Sequence, residues 1–197
     1  EKGIYSVEKF IVARRLMYWQ VYLHRTVICA EHMLTLVLRR AKQLAQSGIK
    51  IFATPALSKF IYNEFDKKSF ISTPNIIDSF CELDDSDIFS AMKAWRHHSD
   101  QVLSSLSSRL LDRKLFQIEL RPHPFTTEEV HEKIHLIAEK LSLSNEEASY
   151  FVSNQSIENR AYTTNGILIK YKDGSIRDFA ESNDHLSLEL LTKPVKK

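Results

Sequence analysis

No excess of either charge is found in this chain: Lys plus Arg number 27 against 25 for Asp plus Glu, a net charge of +2. Such a balance makes no case for a nucleic-acid surface, which needs local clustering of basic residues, so nucleic acid is not expected as a partner. Cysteine is scarce. Cys29, inside an apolar run, and Cys81, beside a phenylalanine, read as reduced core residues of a cytoplasmic protein, not as a disulfide framework. Long charge-free apolar runs are missing too. None approaches the roughly 20 residues that a bilayer requires, and no secretory signal pattern is visible, so no membrane association is expected. There is no internal repeat and no low-complexity segment. Proline and glycine, finally, are absent from Ser6 to Ser47.

That last absence frames the most informative stretch, SVEKFIVARRLMYWQVYLHRTVICAEHMLTLVLRRAKQLAQSG. It reads as one long central helix of roughly 60 Å, with Ser6 as N-cap and Gly48 at C′. Glu8 in the first turn and Arg39, Arg40 and Lys42 near the end suit the helix dipole. Between Leu16 and Leu38 apolar residues occur on every side, which argues for burial all round. At 100° per residue Arg14, Tyr18, Tyr22, Arg25, Cys29 and His32 share one polar stripe. It is either a set of satisfied core polar groups at a domain or subunit contact, or a pocket wall with arginine for an anion and tyrosines for a ring.

The remainder divides into a helical part, residues 1–114, and a small α+β module, residues 115–197. Short helices are expected over Pro55–Phe65 and Asn75–Phe80. A helix follows the acidic start Asp84-Asp85-Ser86-Asp87, with Ile88, Met92 and Trp95 on one face, and another is capped by Ser99. LFQIELRP alternates like a strand, TTEEVHEKIHLIAEKL is an amphipathic helix, EASYFVSN suggests a strand, and GILIKYKDGSIRDFA reads as a hairpin turning at Lys172–Ser175. The order β-α-β-β-β suggests a ferredoxin-like arrangement. The tail HLSLELLTKPVKK is ambiguous, and its terminal lysines are expected to be mobile.

Three patterns invite a metal. His131-Glu132-Lys133-Ile134-His135 matches H-E-x-x-H, in which two histidines a turn apart grip zinc and the glutamate acts as base. Lys133 places a cation beside that metal and no third ligand follows, so a zinc metalloprotease is the remotest reading. Asp84, Asp85 and Asp87 suit a hard cation but equally suit a helix N-terminus. His97-His98 at a helix end is read as a C-terminal dipole contact. No metal ligand and no catalytic residue is therefore assigned within this chain.

Three blocks, GIYSVEKFIVARRLMYWQVYLH, then ELDDSDIFSAMKAW, then RLLDRKLFQIEL, resemble the HD-superfamily phosphohydrolases related to dGTP triphosphohydrolases, in their bacterial form. The resemblance extends through the hairpin around Lys172–Ser175. Relatives cleave a dNTP to a deoxynucleoside and triphosphate at a divalent metal centre. A human antiviral member has an arginine, a tyrosine eight residues on and a histidine two further, a pattern that falls here on Arg14, Tyr22 and His24. The resemblance thus implies Arg14 and Tyr22 as substrate-binding residues, and the shared stripe adds Tyr18 between them on the same wall. The family's metal ligands, a histidine, a His-Asp pair and a later aspartate, lie before this helix, and no His-Asp dipeptide occurs in the 197 residues. The chain also opens at Glu1 without methionine. The expectation is the C-terminal part of a larger metal-dependent enzyme, in which the metal is held outside this chain and this chain alone is inactive. A nucleotide substrate or effector and a homo-oligomer are the implied partners. The competing reading is a non-enzymatic regulatory module that binds a partner or a nucleotide effector.

Overall fold

The computed structural model describes residues 2–121, 123–155, 158–159, 167–179 and 195–196. It is mainly helical, with small antiparallel strand pairs towards the C-terminus. The chain divides into two compact units. One comprises Glu1–Ile28, Ile118–His131 and Ser153–Lys197, the other Cys29–Gln117 and Glu132–Val152.

The expected single helix is interrupted. α1 runs Lys2–Met17, starting before Ser6, and passes into a π-turn over Tyr18–Tyr22. Leu23 and His24 break the helix, and α2 then runs Arg25–Gln46. The Leu23 N–H donates five residues back to the Tyr18 carbonyl at 2.6 Å, the widened spacing of a π-turn. The break contains neither proline nor glycine, and other residues at it disfavour a continuous helix. Val21, Thr26, Val27 and Ile28 are β-branched and lose side-chain freedom in a helix. The His24 ring supplies an alternative acceptor, its Nδ1 taking the Thr26 N–H at 3.3 Å. Burial all round is also not found, since Leu16, Met17, Val21, Tyr22 and Val27 are exposed.

In the first unit α1 packs one stripe, Ile4, Val7 and Ile11, with Phe179 and the hairpin residues Ile167 and Ile169. β2 (Leu168–Lys170) pairs antiparallel with β3 (Ile176–Asp178), in register Ile169 to Arg177, as the alternation around Lys172–Ser175 predicts. Gly174 takes a positive φ of 83° inside that turn. β1 (Glu158–Asn159) pairs with β4 (Val195–Lys196). The rest of the C-terminal tail, and the expectation for it, lie outside the described residues.

The second unit is helical. α2 carries Met33, Leu36, Val37, Ala41 and Leu44 on its buried face. It ends as expected at Gly48: the Ile49 N–H reaches the Leu44 carbonyl and the Gly48 N–H the Ala45 carbonyl, each at 3.0 Å. α3 (Pro55–Tyr62), α4 (Lys67–Ser72) and α5 (Ile76–Cys81) occupy the proline-punctuated segment. α6 (Asp85–Trp95) and α7 (Gln101–Leu111) add Ala91, Met92, Trp95, Val102, Leu103 and Leu106 to the core. The Trp95 indole N–H is satisfied by the Phe52 carbonyl at 2.8 Å. The cap of α7 is Asp100, not Ser99, with its carboxylate accepting from the Leu103 N–H at 2.7 Å.

α8 (Thr127–Leu141) forms where expected, but the two strands drawn around it do not. Residues 115–121 form no helix or strand and have no ladder partner among the described residues, so their period of two does not produce a strand. Asn145–Ala148 is a short helix, α9, running into a 3₁₀ turn over Ser149–Phe151. A reciprocal capping box between Ser144 and Glu147 starts α9 and overrides the β-propensity of Tyr150, Phe151 and Val152. The β-α-β order behind the ferredoxin-like expectation is therefore absent among the described residues.

Candidate functional site

Arg14, Tyr18 and Tyr22, the residues singled out by sequence, stand together in the first unit as a ladder. Ile4, Val7 and Ile11 occupy helical positions whose next members are Arg14 and Tyr18, so the stripe that packs on the hairpin continues into the ladder. The Arg14 guanidinium carbon lies 5.3 Å from the Tyr18 ring centroid. The Tyr18 and Tyr22 centroids are 5.2 Å apart with their planes tilted by 49°. Arg14 is exposed, Tyr18 is half-buried, and Tyr22 is 52% exposed. Among the described residues no carboxylate is paired with Arg14. The segment from Lys2 to Ile28 carries Lys2, Lys9, Arg14, Arg15 and Arg25 against Glu8 alone, a local balance that favours an anion.

The other members of the stripe belong to α2, beyond the interruption that ends the 100° register. Cys29 is buried, and its thiol donates to the Phe116 carbonyl at 3.6 Å. Burial pushes that thiol up from its ordinary range, tempered by the bond to Phe116. Burial, then the nearby Arg39 charge, lowers His32 and favours neutral imidazole. These are surroundings of core polar groups.

The metal-inviting patterns have structural explanations. His131, Glu132 and His135 all lie on the exposed side of α8, and His135 Nε2 sits 3.6 Å from Glu139. Asp84 and Asp87 form a reciprocal capping box at the start of α6. His98 Nδ1 accepts the Asp100 N–H at 3.0 Å. Among the described residues no three metal-ligating side chains converge. Metal analysis of the purified protein is expected to find no zinc on the HEKIH pair. One zinc per chain, lost in His131→Ala and accompanied by peptide cleavage, would overturn that expectation.

Two arginine centres escaped the sequence reading. In the second unit Arg40 is only 8% exposed and grips Asp100 with two bonds, Nε to Oδ1 at 3.1 Å and Nη2 to Oδ2 at 2.6 Å. A sequence signal existed, because Arg40 interrupts the apolar face of α2 between Val37 and Leu44. In the first unit Arg121 bonds both oxygens of Glu129 and stacks 3.7 Å from the Phe125 ring centroid. The Arg121 hydrogen bonds hold the Glu129 carboxyl down at about 2. Both arginines are committed to carboxylates, unlike Arg14. A cavity of about 520 Å³ in the second unit, lined by Ala45, Gly48, Lys50, Ile51, Ser58 and Tyr62 among others, contains none of the sequence-selected residues. Its one phenol, Tyr62, is already bonded to both the N–H and the carbonyl of Ile51.

No protein-family model matches the chain. The crystal structure of a phosphohydrolase (BT4208) from Bacteroides thetaiotaomicron VPI-5482 superposes with a TM-score of 0.89 at 45% sequence identity, over 99% of this chain. The fold is shared. The uncharacterized protein YwfO of Bacillus subtilis (strain 168) is 36% identical over 124 residues, 62% of this chain. The chain covers 49% of the Bacteroides structure's length and 27% of the Bacillus protein's. No helix among the described residues is long and apolar enough to cross a membrane.

Proposed function

We propose that this chain is part of a metal-dependent HD-type phosphohydrolase acting on (deoxy)nucleoside triphosphates, and that α1 with its π-turn forms one wall of the nucleotide pocket. The observation that carries the reading is the ladder: an exposed guanidinium paired with no carboxylate among the described residues at one end, and a phenol ring at the other. Residues eight apart lie about 12 Å apart along a helix, which suits the span from a triphosphate to a sugar or base. The likeness to a solved phosphohydrolase supports the phosphohydrolase class. The nucleotide assignment rests on the ladder and on the resemblance of its residues to the dNTP triphosphohydrolases.

Among the described residues no three metal-ligating side chains converge, and the acidic and histidine patterns that invite a metal serve as helix caps or lie on an exposed helix face. The divalent ion would be held by residues outside this chain. This chain's part is binding: Arg14 takes the phosphate charge with fixed donors, and the Tyr22 ring packs on the sugar or base. By itself the chain then hydrolyses no nucleotide. A cytoplasmic homo-oligomer, with residues 115–197 in a regulatory or assembly role, completes the reading.

Arg14→Ala in the full-length protein is expected to weaken dNTP binding by about 1.5–3 kcal/mol, the range for hydrogen bonds to charged groups. Arg14→Lys should recover only part, since a point charge does not replace a planar fork. Nucleotide titration and turnover in the two variants measure this. Wild-type affinity and turnover in a folded Arg14→Ala protein would remove α1 from the pocket.

A further inference from the structure

We infer that Tyr18 is a positioning residue: its ring holds the Arg14 guanidinium in place for a phosphate group and does not itself touch the ligand. This rests on the nucleotide-wall reading above.

The Arg14 guanidinium carbon lies 5.3 Å from the Tyr18 ring centroid, inside the roughly 6 Å range of cation–π attraction. From the next turn Tyr22 closes on the same ring at 5.2 Å. Arginine on one side and tyrosine on the other leave Tyr18 half-buried, while the two outer members of the ladder are exposed. The residues placed to meet a ligand are therefore Arg14 and Tyr22, with Tyr18 as the support between them.

The main chain that carries the ring is held as well. Tyr18 opens the π-turn, and its carbonyl accepts the Leu23 N–H, so the backbone is bonded forwards across five residues as well as lying in the helix. π-turns of this kind recur at functional sites.

Ring contacts are shared by several arginines, Arg40 with Tyr150, Arg121 with Phe125 and Arg177 with Tyr171, but Arg14 differs from the ion-paired ones in having no carboxylate beside it among the described residues. Arg40, Arg96 and Arg121 each face a carboxylate, whose charge neutralises the guanidinium and occupies its donors. Among the described residues Arg14 has a ring instead. A ring face fixes the guanidinium plane while consuming none of its five N–H donors. It thereby reduces the side-chain freedom that a long arginine would otherwise lose on binding. The chemistry recognised is a dianionic group with acceptor oxygens, such as the terminal phosphates of a nucleoside triphosphate.

The test uses the full-length protein, with inorganic tripolyphosphate and a 2′-deoxynucleoside triphosphate as probes. Tyr18→Leu should weaken both by about two- to fivefold, the value of an exposed cation–π contact. Tyr18→Phe should bind like wild type, because the ring face is kept. Tyr18→Trp, the stronger cation–π partner, should match or exceed it, and it carries the test if the leucine variant misfolds. In an Arg14→Ala background Tyr18→Leu should have no further effect. An equal loss in that background would make Tyr18 a ligand contact and overturn the positioning role. So would a Tyr18→Phe variant as weak as Tyr18→Leu, which would assign the effect to the hydroxyl. Weakened Arg14→Ala beside an unaffected Tyr18→Leu would overturn this inference alone. Wild-type binding in Arg14→Ala would overturn both it and the nucleotide wall.

Discussion

Arg40→Ala is expected to destabilise the protein by about 3–5 kcal/mol, the cost of breaking a buried ion pair from one side. The guanidinium links three parts of the second unit. It bonds Asp100 at the start of α7 with two arms, and its Nη1 donates to Gln43 Oε1 at 2.7 Å. The same Gln43 oxygen accepts the Tyr150 hydroxyl at 2.9 Å, and Glu147 of α9 lies 3.6 Å from Nη2. Truncation leaves the Asp100 carboxylate with no counter-charge in direct contact, in a site where its side chain is 13% exposed. Burial pushes that carboxyl up, but the Arg40 hydrogen bonds, the Leu103 N–H and the Arg40 charge together hold it below its ordinary value. A depressed carboxyl contributes stability that is fully present above its unfolded value and lost as pH falls through its folded value. In Arg40→Ala that contribution is gone, so the gap between variant and wild type should shrink as pH is lowered from 7 towards 3. Arg40→Met with Asp100→Asn removes both charges and keeps a side-chain oxygen for the α7 cap. It should recover most of the loss. Urea unfolding followed by circular dichroism at two pH values measures all three proteins. A gap that widens in acid would show that the ion pair is not the source of the stability.

The helices of the second unit were legible because local signals agreed with one another. Gly48 ended α2, Pro55 opened α3, and Asp84 with Asp87 opened α6. Where local signals compete, the sequence pattern points to the wrong element. Residues 115–121 alternate as a strand does, yet a strand exists only with a ladder partner, and periodicity says nothing about partners. Tyr150, Phe151 and Val152 favour a strand, but Ser144 with Glu147, spaced as a capping box, fixed a helical turn first. The break at Leu23–His24 carries no proline or glycine. It coincides with β-branched Val21, Thr26, Val27 and Ile28 and with a histidine ring used as an acceptor, both weaker signals than proline or glycine. The ladder itself was legible because residues 14, 18 and 22 are one turn apart whether the turn is α or slightly widened. Its exposure was not, since apolar residues on all sides argued for burial.

The hairpin contact should matter to that ladder more than its size suggests. β2 and β3 have three residues each, and a lone two-stranded hairpin is marginal in water. What supports it is Phe179, 1% exposed, packed in one cluster with Ile11, Ile4 and Val7 of α1. Ile11 sits one turn before Arg14 on the same helical stripe, so the packed face leads directly into the ladder. Phe179→Ala is expected to cost about 3–5 kcal/mol, the range for a buried phenylalanine, through lost transfer energy and the cavity left behind. Phe179→Leu, which refills most of the volume, should cost about 1.5 kcal/mol or less. Because the loss is confined to the first unit, it should appear as local opening and not as uniform weakening. Hydrogen exchange should show the amides of Leu168–Lys170 and Ile176–Asp178 losing protection in Phe179→Ala while those of α6 and α7 keep theirs. If α1 follows the hairpin, dNTP affinity falls as well, although Phe179 has no place in the proposed pocket wall. Unchanged protection in the hairpin, or an equal fall across α6 and α7, would mean that Phe179 does not anchor α1 in this way.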